Sequence, residues 1–187
     1  MGANDSPTAT RTIVTDYFDW RLNNRTITNN RLFSIVRKIA SDCETAYHAQ
    51  QPEFNLHFSE PNDPVQTLNN IKSTHNEIGT ELFADGGISW TRIITFITFS
   101  ALLAERIIQQ QQAANLPSTL VISSLVDWTS DFINTNLQTW LESQNYWAGC
   151  LKLHDKTPQR RNSIGRYAGI LGTLGMLTLG ALYIRRT

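Results

Sequence analysis

Arg92 heads an apolar stretch in this sequence. Twelve uncharged residues, IITFITFSALLA, separate it from Glu105. A guanidinium so placed can hold a carboxylate in a forked, charge-assisted pair. Its other uses are an ion pair within the chain or a solvated cation at a helix start. Little else offers chemistry. The sequence contains no GxSxG, P-loop, HExxH or CxxC pattern. Its four histidines are scattered. His75 shares an apolar stripe, where a lone imidazole is usually a satisfied, partly buried side chain. Cys43 and Cys150 stand far apart, in no metal-type spacing. Two such cysteines fit a reduced domain facing the cytosol. Neither an enzyme nor a metal or cofactor site is expected. Formal net charge is zero, so the basic footprint of a nucleic-acid binder is absent.

The elements that must position Arg92 read as helices. With 41% hydrophobic and 17% charged residues, the 187-residue chain is globular and long enough for one domain with a short appendage. Ile13, Val14, Tyr17, Phe18 and Leu22 recur at helical steps. Asn23 to Asn30 is asparagine-rich and separates them from a second stripe, Leu32, Val36, Ile39, Cys43 and Tyr47. Pro52, Pro61 and Pro64 mark an irregular connection around Phe54, Leu56 and Phe58. Val65, Leu68, Ile71, His75, Ile78 and Leu82 form a third stripe, which Asp85-Gly86-Gly87 ends. The segment after Arg92 is apolar on nearly every face, so protein or lipid must surround it. It is too short for an ordinary span and is predicted to be a central helix wrapped by the others. Ser118 is the expected N-cap of a helix carrying Val121, Leu125, Trp128 and Phe132. A last short amphipathic piece runs through Trp140, Trp147, Leu151 and Leu153. The prediction is an all-α domain over 1–154, a basic, polar linker over 155–166 and a tail.

That tail, 167–184, is eighteen residues without a charge, bounded by Arg166 and by Arg185-Arg186. As a helix it would rise about 27 Å, close to a bilayer's hydrocarbon thickness. It reads as a transmembrane tail anchor inserted after synthesis, with the preceding residues in the cytosol. Lys152, Lys156, Arg160, Arg161 and Arg166 agree with a cytosolic side. The other reading is a buried C-terminal helix.

Two segments carry a family resemblance. ELFADGGISWTRIITFITFSA, 81–101, resembles the first homology motif of the B-cell lymphoma 2 (Bcl-2) apoptosis regulators, ELFxDG followed by NWGRIVxFxxFG. Glu81-Leu82-Phe83, Asp85-Gly86, Trp90, Arg92-Ile93 and Phe99 match in register, and Thr91 stands where the family usually has glycine. Trp140 and Trp147 resemble the second motif, W-[IL]-x5-W, and TIVTDYFDWRL resembles the fourth. The third motif falls on the second stripe. Leu32, Val36, Ile39 and Cys43 take its apolar positions and Ala40 its small position. Ser41 stands where aspartate is usual, and Asp42 comes one residue later, about 100° around the helix.

The resemblance implies a Bcl-2-like helical bundle with a surface groove that receives the BH3-type helix of a pro-apoptotic protein. The implied lining draws on Val36, Cys43, Tyr47, Phe54, Ile78, Leu82, Trp90, Thr91, Ile93, Thr95, Phe96, Phe99 and Trp147. Arg92 would hold the ligand's aspartate. Ser41 leaves the chain's own third-motif helix a poor ligand, so pro-survival sequestration is expected. The alternative is a pore-forming killer whose central helix enters lipid; a third reading is an anchored scaffold with a closed groove. The implied place is the cytosolic face of the mitochondrial outer membrane or the endoplasmic reticulum, and a homo- or hetero-dimer is compatible.

Overall fold

The structure, a computed structural model, describes residues 8–23, 28–50, 63–109 and 116–156. Among them are seven helices and no strand: α1 Thr8–Asn23, α2 Arg31–Gln50, α3 Pro64–Leu82, α4 Trp90–Gln109, α5 Ser118–Asn136, α6 Gln138–Ser143 and α7 Trp147–Lys156. Phe54 and the apolar run 167–184 lie outside the described residues, as does the side chain of Tyr47. Among the described residues no helix is long and apolar enough to cross a membrane.

α4 is the central helix. Every residue from Ile93 to Ala101 is buried, as the charge-free sequence requires. Helices α1, α2, α3 and α5 all pack on it. Its hydroxyls are satisfied locally: Thr98 and Ser100 donate to the carbonyls of Ile94 and Phe96, both at 2.8 Å. Such bonds let small polar residues sit in an apolar interior without an orphaned donor.

α3 starts where Asp63 accepts the Val65 N–H at 3.0 Å and Pro64 supplies the first helical φ. It ends at Leu82, and Gly86 (φ +72°) makes the left-handed step that the turn needs. α5 departs from expectation at its start. Pro117, not Ser118, occupies the N-cap position, and Ser118 is the first helical residue.

The last predicted piece is two helices. Asn145 (φ 58°) and Tyr146 (φ 49°) both adopt left-handed backbone and reverse the chain between α6 and α7. The Tyr146 N–H donates to the Leu141 carbonyl at 2.7 Å. A Cβ at Gly149 would lie 2.2 Å from the Gln144 carbonyl, so only glycine permits this reversal. α7 runs to Lys156, two residues into the expected linker.

Charged side chains fasten α1 to the bundle. Arg37 of α2 pairs with both carboxylate oxygens of Asp16, at 2.8 and 3.0 Å, and its guanidinium lies 5.7 Å from the Trp20 ring centre. Arg21 donates to Glu44 of α2 and Glu105 of α4, each at 2.9 Å. The Tyr17 hydroxyl donates to Glu44 at 2.7 Å. Burial and the adjacent Glu44 carboxylate push that phenol's pKa well up.

Candidate functional site

α2 and α3 both pack against α4. α4 is thus a shared neighbour of both, as it is of α1 and α5. α2 also touches α7, which brings Trp147 to the same region. The predicted lining residues that are described lie on these four helices, α2, α3, α4 and α7.

Most of those residues are closed off in the unbound chain. Val36 and Cys43 of α2, Ile78 and Leu82 of α3, Trp90, Ile93, Thr95, Phe96 and Phe99 of α4, and Trp147 of α7 are all buried. The Cys43 thiol and the Thr95 hydroxyl lie 3.4 Å apart and bridge α2 to α4. Burial pushes the Cys43 thiol up to about 11 and the Cys150 thiol up to about 12, so both stay protonated and unreactive near neutral pH. The Phe96 ring packs 4.9 Å from both His75 and Phe132, joining α4 to α3 and α5. A Cβ at Gly79 would come within 2.9 Å of the Phe96 and Phe132 rings, so this glycine lets α3 approach closely.

Thr91 and Arg92 differ from the rest in being partly exposed. The Arg92 side chain, 24% exposed, folds back over the α3–α4 connection. Its Nη1 and Nη2 donate to the two oxygens of Asp85, the second at 2.8 Å. Nη1 also donates to the Gly87 carbonyl at 2.7 Å and reaches the Leu82 carbonyl at 3.5 Å. Asp85 in turn accepts the Gly87 N–H at 2.8 Å. Arg92 and then the Gly87 N–H hold the Asp85 carboxyl down at about 2, so it stays ionised. Gly87 fits because it has no side chain: a Cβ there would meet Arg92 Nη1 at 2.9 Å. The intramolecular ion pair weighed for Arg92 thus exists in the unbound chain. Asp85 was legible only as a motif residue and helix stop, not as this partner.

α2 turns its third-motif face inward. Leu32, Val36, Ala40 and Cys43 are buried and Ile39 is half-buried. Ser41 is exposed, and Asp42 is partly exposed beside Lys38 at 3.6 Å. A separate shallow depression of about 380 Å³ is lined by Arg11, Thr12, Thr15, Asp16 and Asp19 of α1 with Phe33 of α2. None of the predicted lining residues borders it.

A family model described as "Apoptosis regulator proteins, Bcl-2 family" matches residues 32–147. The chain is 26% identical over 182 residues to apoptosis regulator R1 of Xenopus laevis, covering 95% of this chain and 77% of R1. It is 27% identical to mouse apoptosis regulator BAX over 74 residues, which is 40% of this chain and 35% of BAX. Among solved structures, the zebrafish pro-survival protein NRZ in complex with Bad BH3 matches with a TM-score of 0.59 at 18% identity, covering 79% of this chain and 93% of that one. The first two homology motifs, the central buried helix and a match spanning more than half of the sequence agree: the chain belongs to the Bcl-2 family of apoptosis regulators.

Proposed function

We propose that this Bcl-2 family regulator is pro-survival and captures BH3-type helices of pro-apoptotic proteins between α2 and α3, with Arg92 receiving the ligand's aspartate. The observation that carries the reading is the partly exposed Arg92 guanidinium at the head of α4, the helix against which α2 and α3 both pack. A ligand helix would enter as α3 moves away from α2, exposing Phe96, Phe99 and Cys43. The lining is buried when unbound, so part of the binding free energy goes into that opening.

The inward face of α2 favours receiving over offering. Turning this helix out as a ligand would expose Leu32, Val36 and Cys43. It would also break the Arg37–Asp16 and Arg21–Glu44 pairs. Ser41 would then present no carboxylate to a partner's arginine. The killer reading requires α4 to leave its four neighbours and enter lipid, which no contact described above favours. We place the protein on the cytosolic face of the mitochondrial outer membrane, anchored through 167–184, as a non-enzymatic binding protein.

Arg92→Ala is expected to weaken binding of a Bad BH3 peptide by about 2 kcal/mol, the effect of truncating one partner of a desolvated charge pair. Calorimetry showing unchanged affinity would sink the assignment. Gly87→Ala is expected to push the guanidinium off its seat and weaken the same binding by about 1 kcal/mol, roughly the worth of one hydrogen bond. An unaltered dissociation constant would rule that displacement out. The direction of activity is tested with dye-loaded vesicles of mitochondrial lipid composition and with cells given an apoptotic stimulus. The full chain should leave the vesicles sealed and raise cell survival. Dye release by the chain alone, with no protection, would support the pore-forming reading instead.

A further inference from the structure

We infer that Asp85 is a positioning residue for ligand capture: it grips one edge of the Arg92 guanidinium and leaves the second edge facing an incoming carboxylate. The inference rests on the helix-receiving reading above. A guanidinium carries five N–H donors in a fixed plane, enough for two forks. Three are engaged here. Nη1 donates to Asp85 Oδ1 and to the Gly87 carbonyl, and Nη2 gives one hydrogen to Asp85 Oδ2. The remaining two, on Nε and Nη2, have no partner among the described residues. Those two hydrogens lie side by side and match the spacing of a carboxylate's oxygens.

Asp85 is itself fastened. Its Oδ1 accepts the Gly87 N–H at 2.8 Å, on the turn that Gly86 makes possible. The order of attachment runs from turn to Asp85 to Arg92, so the guanidinium is set before any ligand arrives. A long arginine side chain otherwise loses rotamer freedom on binding, and that loss has already occurred here.

Asp85 also brings a negative charge near the incoming one, which opposes binding. The Asp85 side chain is 61% exposed, so water and salt screen this repulsion strongly. The orienting bonds act at contact distance, where salt screens less than over the longer carboxylate–carboxylate separation, and the proposed role requires that they outweigh the repulsion. Asp85 therefore favours ligands with a carboxylate at the position facing Arg92 over ligands without one.

The test is a set of titrations into the full chain and its variants. The probes are a Bad BH3 peptide and the same peptide with its motif aspartate replaced by asparagine. Asp85→Ala should weaken the aspartate peptide about tenfold, the scale of one charge-assisted bond, and leave the asparagine peptide unchanged. Asp85→Ala added to Arg92→Ala should cost nothing further. Asp85→Glu, which keeps the charge, should recover part of the loss. Tighter or unchanged binding of the aspartate peptide by Asp85→Ala overturns the inference, as does equal weakening of both peptides, which marks a merely structural role. An Arg92→Ala chain that binds like the wild type overturns the role given to Arg92, and a wild-type chain that binds neither peptide overturns the helix-receiving reading itself; neither result depends on Asp85.

Discussion

Trp147→Ala lowers the unfolding free energy of this chain by about 4 kcal/mol, the range measured when a large aromatic is truncated in a packed core. Trp147 is completely buried although it opens the short helix α7. Its ring centre lies 5.1 Å from that of Trp90, which heads α4 and packs 4.9 Å from Trp140 of α6. Its indole N–H donates to the Thr10 hydroxyl at 3.0 Å, inside the protein. One side chain thus ties the first helix to the last across 137 residues of sequence. Removing it leaves a void, an unpaired Thr10 hydroxyl and no anchor for the left-handed reversal at Asn145–Tyr146. Trp147→Phe keeps most of the apolar area and loses the hydrogen bond, so it should cost only about 1–2 kcal/mol. Urea unfolding with unchanged slope checks both. A loss below about 1 kcal/mol for the alanine variant would contradict the packing described here.

Acid exposes a second weak point. His75 of α3 is fully buried. Its Nε2 lies 2.9 Å from the Ser100 hydroxyl and 3.2 Å from that of Thr129, so it joins α3 to α4 and α5. Ser100 already donates its proton to the Phe96 carbonyl, which favours the tautomer with the ring hydrogen on Nε2. Nδ1 is left buried without a hydrogen-bond partner. Adding a proton there would create a buried cation, which the apolar surroundings disfavour. Burial pushes His75 down to about 4, and the neighbouring Asn76 amide pulls it the other way more weakly. In the unfolded chain the imidazole titrates near 6.5. Between these values the unfolded state binds one more proton than the folded state. Stability is therefore full above pH 6.5, falls as pH drops towards 4 and loses nothing further from this group below that. The loss amounts to about 3 kcal/mol. His75→Leu should flatten this part of the stability profile, as urea midpoints between pH 4 and 7 will show. Parallel profiles for wild type and variant would refute the assignment.

The sequence displayed what depends on local pattern. IITFITFSALLA carries no charge, and α4 is buried as that demands. The described stripe residues of α1, α2 and α3 face the core as their spacing requires, except Val65 at the head of α3, which is 65% exposed, and the motif around Arg92 pointed to the candidate site. Pairings across the fold were illegible, because they join residues far apart in sequence. Arg21 and Glu105 are 84 residues apart, and Arg37 and Asp16 are 21 apart. Arg37 and Glu44 lie outside the apolar stripe of α2, yet they face α1 and are paired there. The break between α6 and α7 was hidden too, since Asn145 and Tyr146 take left-handed backbone without a glycine to announce it. Whether these apolar residues serve a core or a cleft was equally invisible, because the same spacing serves both.

Titration calorimetry of a Bad BH3 peptide into the full chain tests the central claim most directly. Saturable one-to-one binding is expected, with a dissociation constant below about 1 μM, some 8 kcal/mol of binding free energy. Absence of binding at about 100 μM peptide, where even an affinity near 5 kcal/mol would register, would contradict it.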